Sequence, residues 1–187
     1  MKTLYYTATS IDGYIAGPNH SLDWLFQFGS EDPSYHEFIK DIGAVVMGSS
    51  TYEWILKHDT FADPEKPKPW PYKQPTWIFT TRSLKTVPGA DIRFVKGDVR
   101  PVYQQMSQAA NGKNIWVVGG GHLAAQFHEH GLLDELIITI VPVILTAGAP
   151  LFTASIIKPP LRVLSVKPYP EGLVQMHLQV QKSQSSE

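Results

Sequence analysis

Apolar runs of strand length alternate with stretches of helical spacing along most of this chain. The apolar runs predict strands at residues 4–9, 44–47, 77–80, 92–95, 114–118 and 136–145. Helical spacing predicts helices at residues 33–41, 50–56 and 102–110, and a further helix that follows the glycines at 119–121. The run at 44–47 is apolar throughout, which is typical of a strand that is covered on both faces.

Several element ends carry recognisable signals. Asp32 is a candidate N-cap with Pro33 at the first helical position, and Ser50 with Glu53 matches a capping box. Near the carboxyl terminus, apolar residues alternate with polar ones on both sides of a Pro-Glu-Gly turn, at 161–166 and 174–180. Strand–helix alternation followed by such a hairpin predicts an α/β fold with three layers and a mixed, mostly parallel sheet.

Residues 58–75 contain five prolines and interrupt this alternation. Neither side of the segment is long enough to form a core of its own. We therefore expect a Pro-rich surface excursion within one domain that spans residues 1–181, followed by a polar tail at 182–187.

Composition narrows the class of protein. The chain has 187 residues, of which 43% are hydrophobic and 18% charged, and a net charge of −1, as in a globular protein without nucleic-acid or membrane partners. It has no cysteine, which excludes disulfides, thiol catalysis and cysteine-ligated zinc, and we expect no metal site. The first residues resemble a strand and not a signal peptide, so we expect a cytoplasmic protein.

Three consecutive glycines, Gly119, Gly120 and Gly121, connect a predicted strand to a predicted helix. The first turn of a helix presents unpaired backbone N–H groups to an anion, and glycines allow a phosphate to approach them. His122, the next residue, is a further candidate for phosphate contact. The alternative is a tight turn that packs strand against helix.

A standard Rossmann domain is disfavoured. Gly119, Gly121 and Ala124 fit the relaxed form of its glycine fingerprint, G-x-G-x-x-A. The next predicted strand, however, runs into Pro142 without the carboxylate that would bind the cofactor ribose.

Two further strand ends carry candidate phosphate donors. Gly48 is followed by the hydroxyl residues Ser49, Ser50 and Thr51, for which helix capping is the alternative interpretation. Thr81 and Arg82 follow another strand, and an arginine fork suits the 2′-phosphate that separates NADPH from NADH. Ligands of open α/β sheets bind along the carboxyl edge of the strands, where all three elements are expected to meet.

The motifs occur in a recognisable order. They are Ser10–Gly17, Asp23–Leu25, Met47–Glu53, Thr81–Arg82, Val118–Phe127, Asp134–Leu136, Pro142–Leu145 and Gly148–Phe152. This order resembles the dihydrofolate reductase-like fold, and more closely the pyrimidine reductase domain of riboflavin biosynthesis.

The resemblance implies an α/β/α reductase domain that binds NADPH across the sheet edge and commonly forms a homodimer. The phosphates would lie at the helix starts after Gly48 and Gly119–Gly121, and Arg82 would face the 2′-phosphate. Cofactor-binding positions carried over from the motif Val118–Phe127 also include Leu123 and Gln126. Trp24 and Thr139 would border a pocket for a small heterocyclic or sugar-phosphate substrate, reduced at a C=N or C=O bond as in 5-amino-6-(5-phosphoribosylamino)uracil reductase.

One departure concerns the substrate. Folate reductases carry a carboxylate near the start of the first helix, and aligning Phe38 places Ser34 at that position. Asp12 is the nearest alternative acid and a candidate catalytic residue, for which formation of a turn at Asp12-Gly13 is the favoured alternative. The alternatives are a true dihydrofolate reductase and a non-catalytic nucleotide-binding protein.

A homodimer is also expected from the hairpin. The segment 174–180 contains neither lysine nor proline, which usually protect an exposed sheet edge. A two-fold dimer would cover such an edge.

Overall fold

An eight-stranded mixed sheet forms the centre of the molecule, in a computed structural model that describes residues 1–29 and 34–182. The strands are β1 Thr3–Ser10, β2 Tyr14–Ala16, β3 Ile42–Gly48, β4 Thr76–Phe79, β5 Ile92–Val95, β6 Asn114–Gly119, β7 Glu135–Val141, β8 Ala149–Pro150, β9 Arg162–Pro168 and β10 Val174–Gln179. The main sheet has the order β5-β4-β3-β6-β1-β7-β10-β9, and β2 pairs separately with β8. Neighbours from β5 to β7 are parallel, whereas β10 is antiparallel to both β7 and β9.

Helices lie on both faces of this sheet. They are α1 Asp23–Phe26, α2 Tyr35–Lys40, α3 Ser49–Ile55, α4 Val99–Ala109 and α5 Gly121–Glu129, with a 3₁₀ turn at Pro18–His20 and a π-helical turn at Leu56–Thr60. Asp98 caps α4, since its carboxylate accepts a hydrogen bond from the Arg100 amide. Within the described residues, no helix is both long and apolar enough to cross a bilayer.

Side chains alternate between two hydrophobic cores, one on each face of the sheet. Tyr5 of β1 belongs to the core that α4 and α5 cover, whereas its neighbours Leu4 and Tyr6 belong to the core beneath α3. Buried Trp70, from the Pro-rich segment, closes the second core by packing on Tyr52, with 5.3 Å between ring centroids. The predicted α/β class, with its mostly parallel sheet and terminal hairpin, is confirmed.

Several local predictions differ from the structure. The capping box is wrong, because Gly48 is the N-cap of α3, no side chain caps this helix, and Glu53 bonds to Arg82 instead. Strand β7 ends at Val141, before the proline, and not at residue 145. Helix α2 begins at Tyr35, and the proposed cap at Asp32 and Pro33 lies outside the described residues.

The edge of the sheet is also not where the hairpin pattern placed it. Strand β10 is paired on both sides, so the edge is β9, which is exposed along its whole length. Val163, Leu164 and Val166 have exposed fractions of 53%, 42% and 55%, which makes this edge apolar. Unlike β10, it carries lysine and proline, at Lys167 and Pro168.

Candidate cofactor and substrate site

Two of the predicted phosphate-binding junctions touch each other at the carboxyl edge of the sheet. A methyl group built on Gly119, at the end of β6, would lie 3.2 Å from the Thr51 hydroxyl of α3. One built on Gly48, at the end of β3, would lie 3.9 Å from the Gly119 carbonyl oxygen. The β3–α3 and β6–α5 turns therefore form one continuous surface of backbone and hydroxyl groups.

The three glycines have different surroundings. Gly120 has space beside it, since among the described residues an added methyl group would come within 4 Å of Ile15 Cδ1 alone, at 3.6 Å. A methyl group on Gly121 would instead overlap the carbonyl oxygens of Pro150 and Leu151. Gly121 is thus required for packing against β8, whereas the backbone at Gly120 is more open. The peptide bond between Gly119 and Gly120 is cis.

Helix α5 presents its predicted cofactor contacts in different ways. The Leu123 side chain is buried in the core, and its amide donates to the Gly120 carbonyl at 3.0 Å. Contact between Leu123 and a cofactor stays a prediction. His122 is exposed and bonds to Gln126, with 3.0 Å between His122 Nε2 and Gln126 Nε2, so these two side chains lie together at the start of the helix.

Arg82 connects the turn after β4 to helix α3. Its guanidinium donates to both Glu53 carboxylate oxygens of α3, from Nη1 at 3.1 Å and from Nη2 at 2.6 Å. The Thr80 hydroxyl accepts from the Arg82 amide at 3.0 Å and fixes the turn after β4. Thr81 and Arg82 are exposed, as is Ser50, whereas Ser49 and Thr51 are half-buried. All three predicted junctions therefore line the same edge of the sheet.

Asp12 connects two loops. Its carboxylate accepts hydrogen bonds from the amides of Leu145 at 3.1 Å and Thr146 at 2.7 Å, and from the Ser10 hydroxyl at 2.7 Å. The Ser10 hydrogen bond is the main reason why the Asp12 pKa lies below its ordinary value, and the two amides add to it. An ionised carboxylate with these partners has no proton to donate at neutral pH, so its surroundings do not support the predicted catalytic role.

Two predicted substrate contacts, Ser34 at the start of α2 and Thr139 on β7, are linked through a third residue. The Gln175 amide on β10 donates to the Ser34 hydroxyl and to the Thr139 hydroxyl, both at 3.1 Å. The Tyr6 hydroxyl of β1 lies 2.9 Å from the Ser34 hydroxyl. These four residues, which we call the polar row, bring neutral donors and acceptors together from four elements.

Aromatic side chains surround one end of the polar row. The Tyr6 ring stacks on Phe38, with 4.2 Å between centroids, and meets the edge of Trp116. Trp24, the third predicted substrate contact, is 9% exposed, and its indole N–H is buried without a hydrogen-bond acceptor in the described part of the chain. Across residues 1–29 and 34–182, no cluster of three or more histidine or acidic side chains could bind a metal.

Comparison with known families agrees with this arrangement. A model of the RibD C-terminal domain matches residues 2–175. The chain belongs to the RibD C-terminal domain family. Within it, the chain is similar to the uncharacterized protein YwjB of Bacillus subtilis, with 34% identity over 177 residues that cover 94% of this chain and 96% of YwjB.

Solved structures give the same fold. A putative riboflavin biosynthesis protein from Shewanella sp. PV-4 has 26% identity and a TM-score of 0.78, over 97% of this chain and all of that one. A bifunctional deaminase and 5-amino-6-(5-phosphoribosylamino)uracil reductase from Thermotoga maritima has 14% identity and a TM-score of 0.64, over 96% of this chain and 56% of that one. Dihydrofolate reductase from Enterococcus faecalis, in complex with NADP(H), has 14% identity and a TM-score of 0.60, over 96% of this chain and 97% of that one. The predicted resemblance to RibD-type reductases is confirmed.

Three residues of the site were missed at the level of sequence: Tyr6, Glu53 and Gln175. A signal for Gln175 was present, because polar residues alternate with apolar ones along β10 and therefore share one face of the sheet. Tyr6 and Glu53 gave no such signal, since their partners come from distant segments.

Proposed function

We propose that this chain is an NADPH-dependent reductase that transfers hydride to a C=N or C=O bond of a small heterocyclic or sugar-phosphate substrate. The observation that carries the proposal is the convergence of three strand ends, with open glycine backbone, hydroxyl groups and one arginine, on a single edge of the sheet. The family and the fold shared with an NADP(H)-bound reductase support the same function.

The cofactor would be held mainly by backbone and hydroxyl groups. A phosphate would approach the backbone at Gly48 and Gly120, where an added methyl group would make no close contact, and Ser49, Ser50 and Thr51 would supply hydroxyl donors beside it. Arg82 and the neighbouring Thr81 would face the adenosine end. When bound, NADPH supplies the hydride, and the protein orients it and excludes competing reactions.

The polar row would bind the substrate. Ser34 and Thr139 each present a hydroxyl oxygen, and the Gln175 amide fixes the positions of both. Hydroxyl and amide groups donate as well as accept, so they match a ring that carries both carbonyl and N–H groups. A pterin is protonated with the help of a carboxylate, which Ser34 does not provide. These features favour a substrate like that of the uracil reductases over dihydrofolate.

We also propose that the functional unit is a cytoplasmic homodimer. The apolar edge strand β9, with Val163, Leu164 and Val166 exposed, supports the dimer, because such an edge is usually covered in solution.

Titration with NADPH tests the cofactor site. Binding should quench fluorescence from the tryptophans, and Gly120→Val should abolish this response, because its side chain would stand where the pyrophosphate approaches the backbone. Thermal melts of the variant serve as a control for folding. If Gly120→Val binds NADPH as well as the parent does, the assignment of the glycine cradle is wrong.

Turnover is a separate measurement. The assay mixes the protein with NADPH and 5-amino-6-(5-phosphoribosylamino)uracil and monitors absorbance at the wavelength of the reduced nicotinamide. Turnover should appear as a loss of this absorbance, because NADPH is oxidised. Binding of NADPH without turnover of this substrate or related heterocycles would favour the alternative of a non-catalytic nucleotide-binding protein.

A further inference from the structure

We propose that Glu53 sets the cofactor selectivity of this site, by neutralising Arg82 so that the site accepts NADH as well as NADPH. This inference rests on the proposed function, because it assumes that Arg82 lies at the adenosine ribose. In this assignment Arg82 binds a 2′-phosphate, and Glu53 accepts a hydrogen bond from a 2′-hydroxyl.

The ion pair is well defined although it is exposed. Two parallel hydrogen bonds join Arg82 to Glu53, while 55% of the arginine side chain and 43% of the glutamate side chain remain accessible to solvent. A nucleotide can therefore reach both groups. A second contact joins the same two segments independently of the ion pair. Tyr52, the buried neighbour of Glu53, donates a hydrogen bond from its hydroxyl to the carbonyl oxygen of Lys85, three residues after Arg82, at 2.6 Å.

The pair occupies the end of the arginine fork. Its contact with Glu53 uses one donor from each terminal nitrogen, and a guanidinium has five donors, so its Nε side remains available to a phosphate. The phosphate would then lie near the Glu53 carboxylate, and the repulsion between the two negative charges would weaken binding. NADPH thus loses much of the affinity that a lone arginine would give it.

NADH has the opposite requirement. Its 2′-hydroxyl is a hydrogen-bond donor, and a carboxylate beside the ribose is the group that NAD-specific sites use to bind it. Glu53 is exposed on α3 next to Arg82 and can serve this purpose. Stability does not explain the pair, because exposed ion pairs contribute little to folding.

The test measures Kd for NADPH and for NADH by tryptophan fluorescence. We expect the parent to prefer NADPH by less than about tenfold. Glu53→Gln keeps the shape of the side chain and removes its charge, so it should tighten NADPH binding by about three- to tenfold and weaken NADH binding by about two- to fivefold.

The chain offers a matched control. Arg93 also makes a two-bond contact with a carboxylate, donating from Nε and Nη2 to Asp91 at 2.9 Å for both bonds, and the exposed fractions are 43% and 48%. That pair lies at the amino end of β5, away from the proposed ribose position. Asp91→Asn should therefore leave both Kd values within about twofold of the parent.

A second measurement compares NADPH binding by Arg82→Ala with that by the double variant Arg82→Ala, Glu53→Gln. If Glu53 acts on NADPH through Arg82, Glu53→Gln should no longer tighten NADPH binding once the arginine is absent. Weaker NADPH binding in Glu53→Gln, or an unchanged ratio of the two Kd values, would overturn the inference while leaving the reductase proposal standing. A parent protein that binds neither nucleotide would overturn the proposed function itself.

Discussion

Adjacent glycines in the β6–α5 turn should respond to alanine in different ways. In Gly121→Ala, the new methyl group would overlap the carbonyl oxygens of Pro150 and Leu151. These carbonyls cannot easily move away, because β8 pairs with β2 and the Leu151 amide donates to the Gly13 carbonyl at 2.8 Å. We expect the free energy of unfolding to fall by about 1–3 kcal/mol.

The neighbouring substitution should leave stability nearly unchanged. A methyl group on Gly120 would meet only Ile15 Cδ1, at 3.6 Å, which is an ordinary van der Waals contact. The backbone φ of Gly120 is −95°, an angle that alanine adopts without strain. We therefore expect the free energy of unfolding of Gly120→Ala to stay within about 1 kcal/mol of the parent, while its affinity for NADPH falls.

Thermal melts with and without NADPH separate the two effects. A loss of 1–3 kcal/mol in a domain of this size should lower Tm of Gly121→Ala by about 2–12 °C. A ligand at about a hundred times its Kd adds about 2.7 kcal/mol of stability, so NADPH should raise Tm of the parent and Gly121→Ala by similar amounts and that of Gly120→Ala by less. The same Tm for Gly121→Ala and the parent, or the same response to NADPH in both variants, would refute this division of roles.

Three other outcomes are expected. The purified protein with NADPH should not reduce dihydrofolate, because Ser34 replaces the carboxylate; robust turnover would contradict the substrate assignment. Burial acts to raise the pKa of Glu135, but hydrogen bonds from Lys2 and His177 outweigh it and leave the pKa below its ordinary value of 4.5. The ionised side chain therefore stabilises the fold above that pH, and Tm should fall more steeply below pH 4.5 in the parent than in Glu135→Gln. Light scattering at micromolar concentration should give twice the 20.9 kDa mass of one chain, and a mass near 20.9 kDa would exclude the dimer.

Long periodic segments could be predicted from the sequence, whereas short elements could not. The apolar runs gave the parallel strands because buried strands need apolar side chains on both faces. Strands β2 and β8 have three and two residues, too few for any periodicity, and they are held by pairing with each other. Strand β10 lies inside the sheet and not at its edge, because β9 pairs with the side of β10 that faces away from β7.

The candidate site shows the same limit. Local motifs predicted Gly120 and Arg82 because each follows a strand, whereas Ser34 was predicted from the family resemblance by aligning Phe38. The different roles of Gly120 and Gly121 depend on the backbone of β8, some 30 residues later in the chain. The predicted capping box was wrong for a related reason. Glu53 bonds to Arg82, which is distant in the sequence, and not to the start of its own helix, and a local pattern cannot show this.

The loops after β1 and β7 are joined at several points. The Ile11 amide donates to the Val143 carbonyl at 2.9 Å, β2 pairs with β8, and the Asp12 carboxylate accepts amides from the second loop. Gly148 also lies so close to the Ala16 carbonyl that any side chain there would collide with it.

As a consequence, a change in one loop affects the other. Replacing the first loop by one without the Asp12 carboxylate would leave the amides of residues 145 and 146 without their acceptor, and a side chain at position 148 in the second loop would displace the first loop at Ala16. Engineering of the loops after β1 and β7 should therefore change both together. The same coupling predicts that the two loops vary together between relatives.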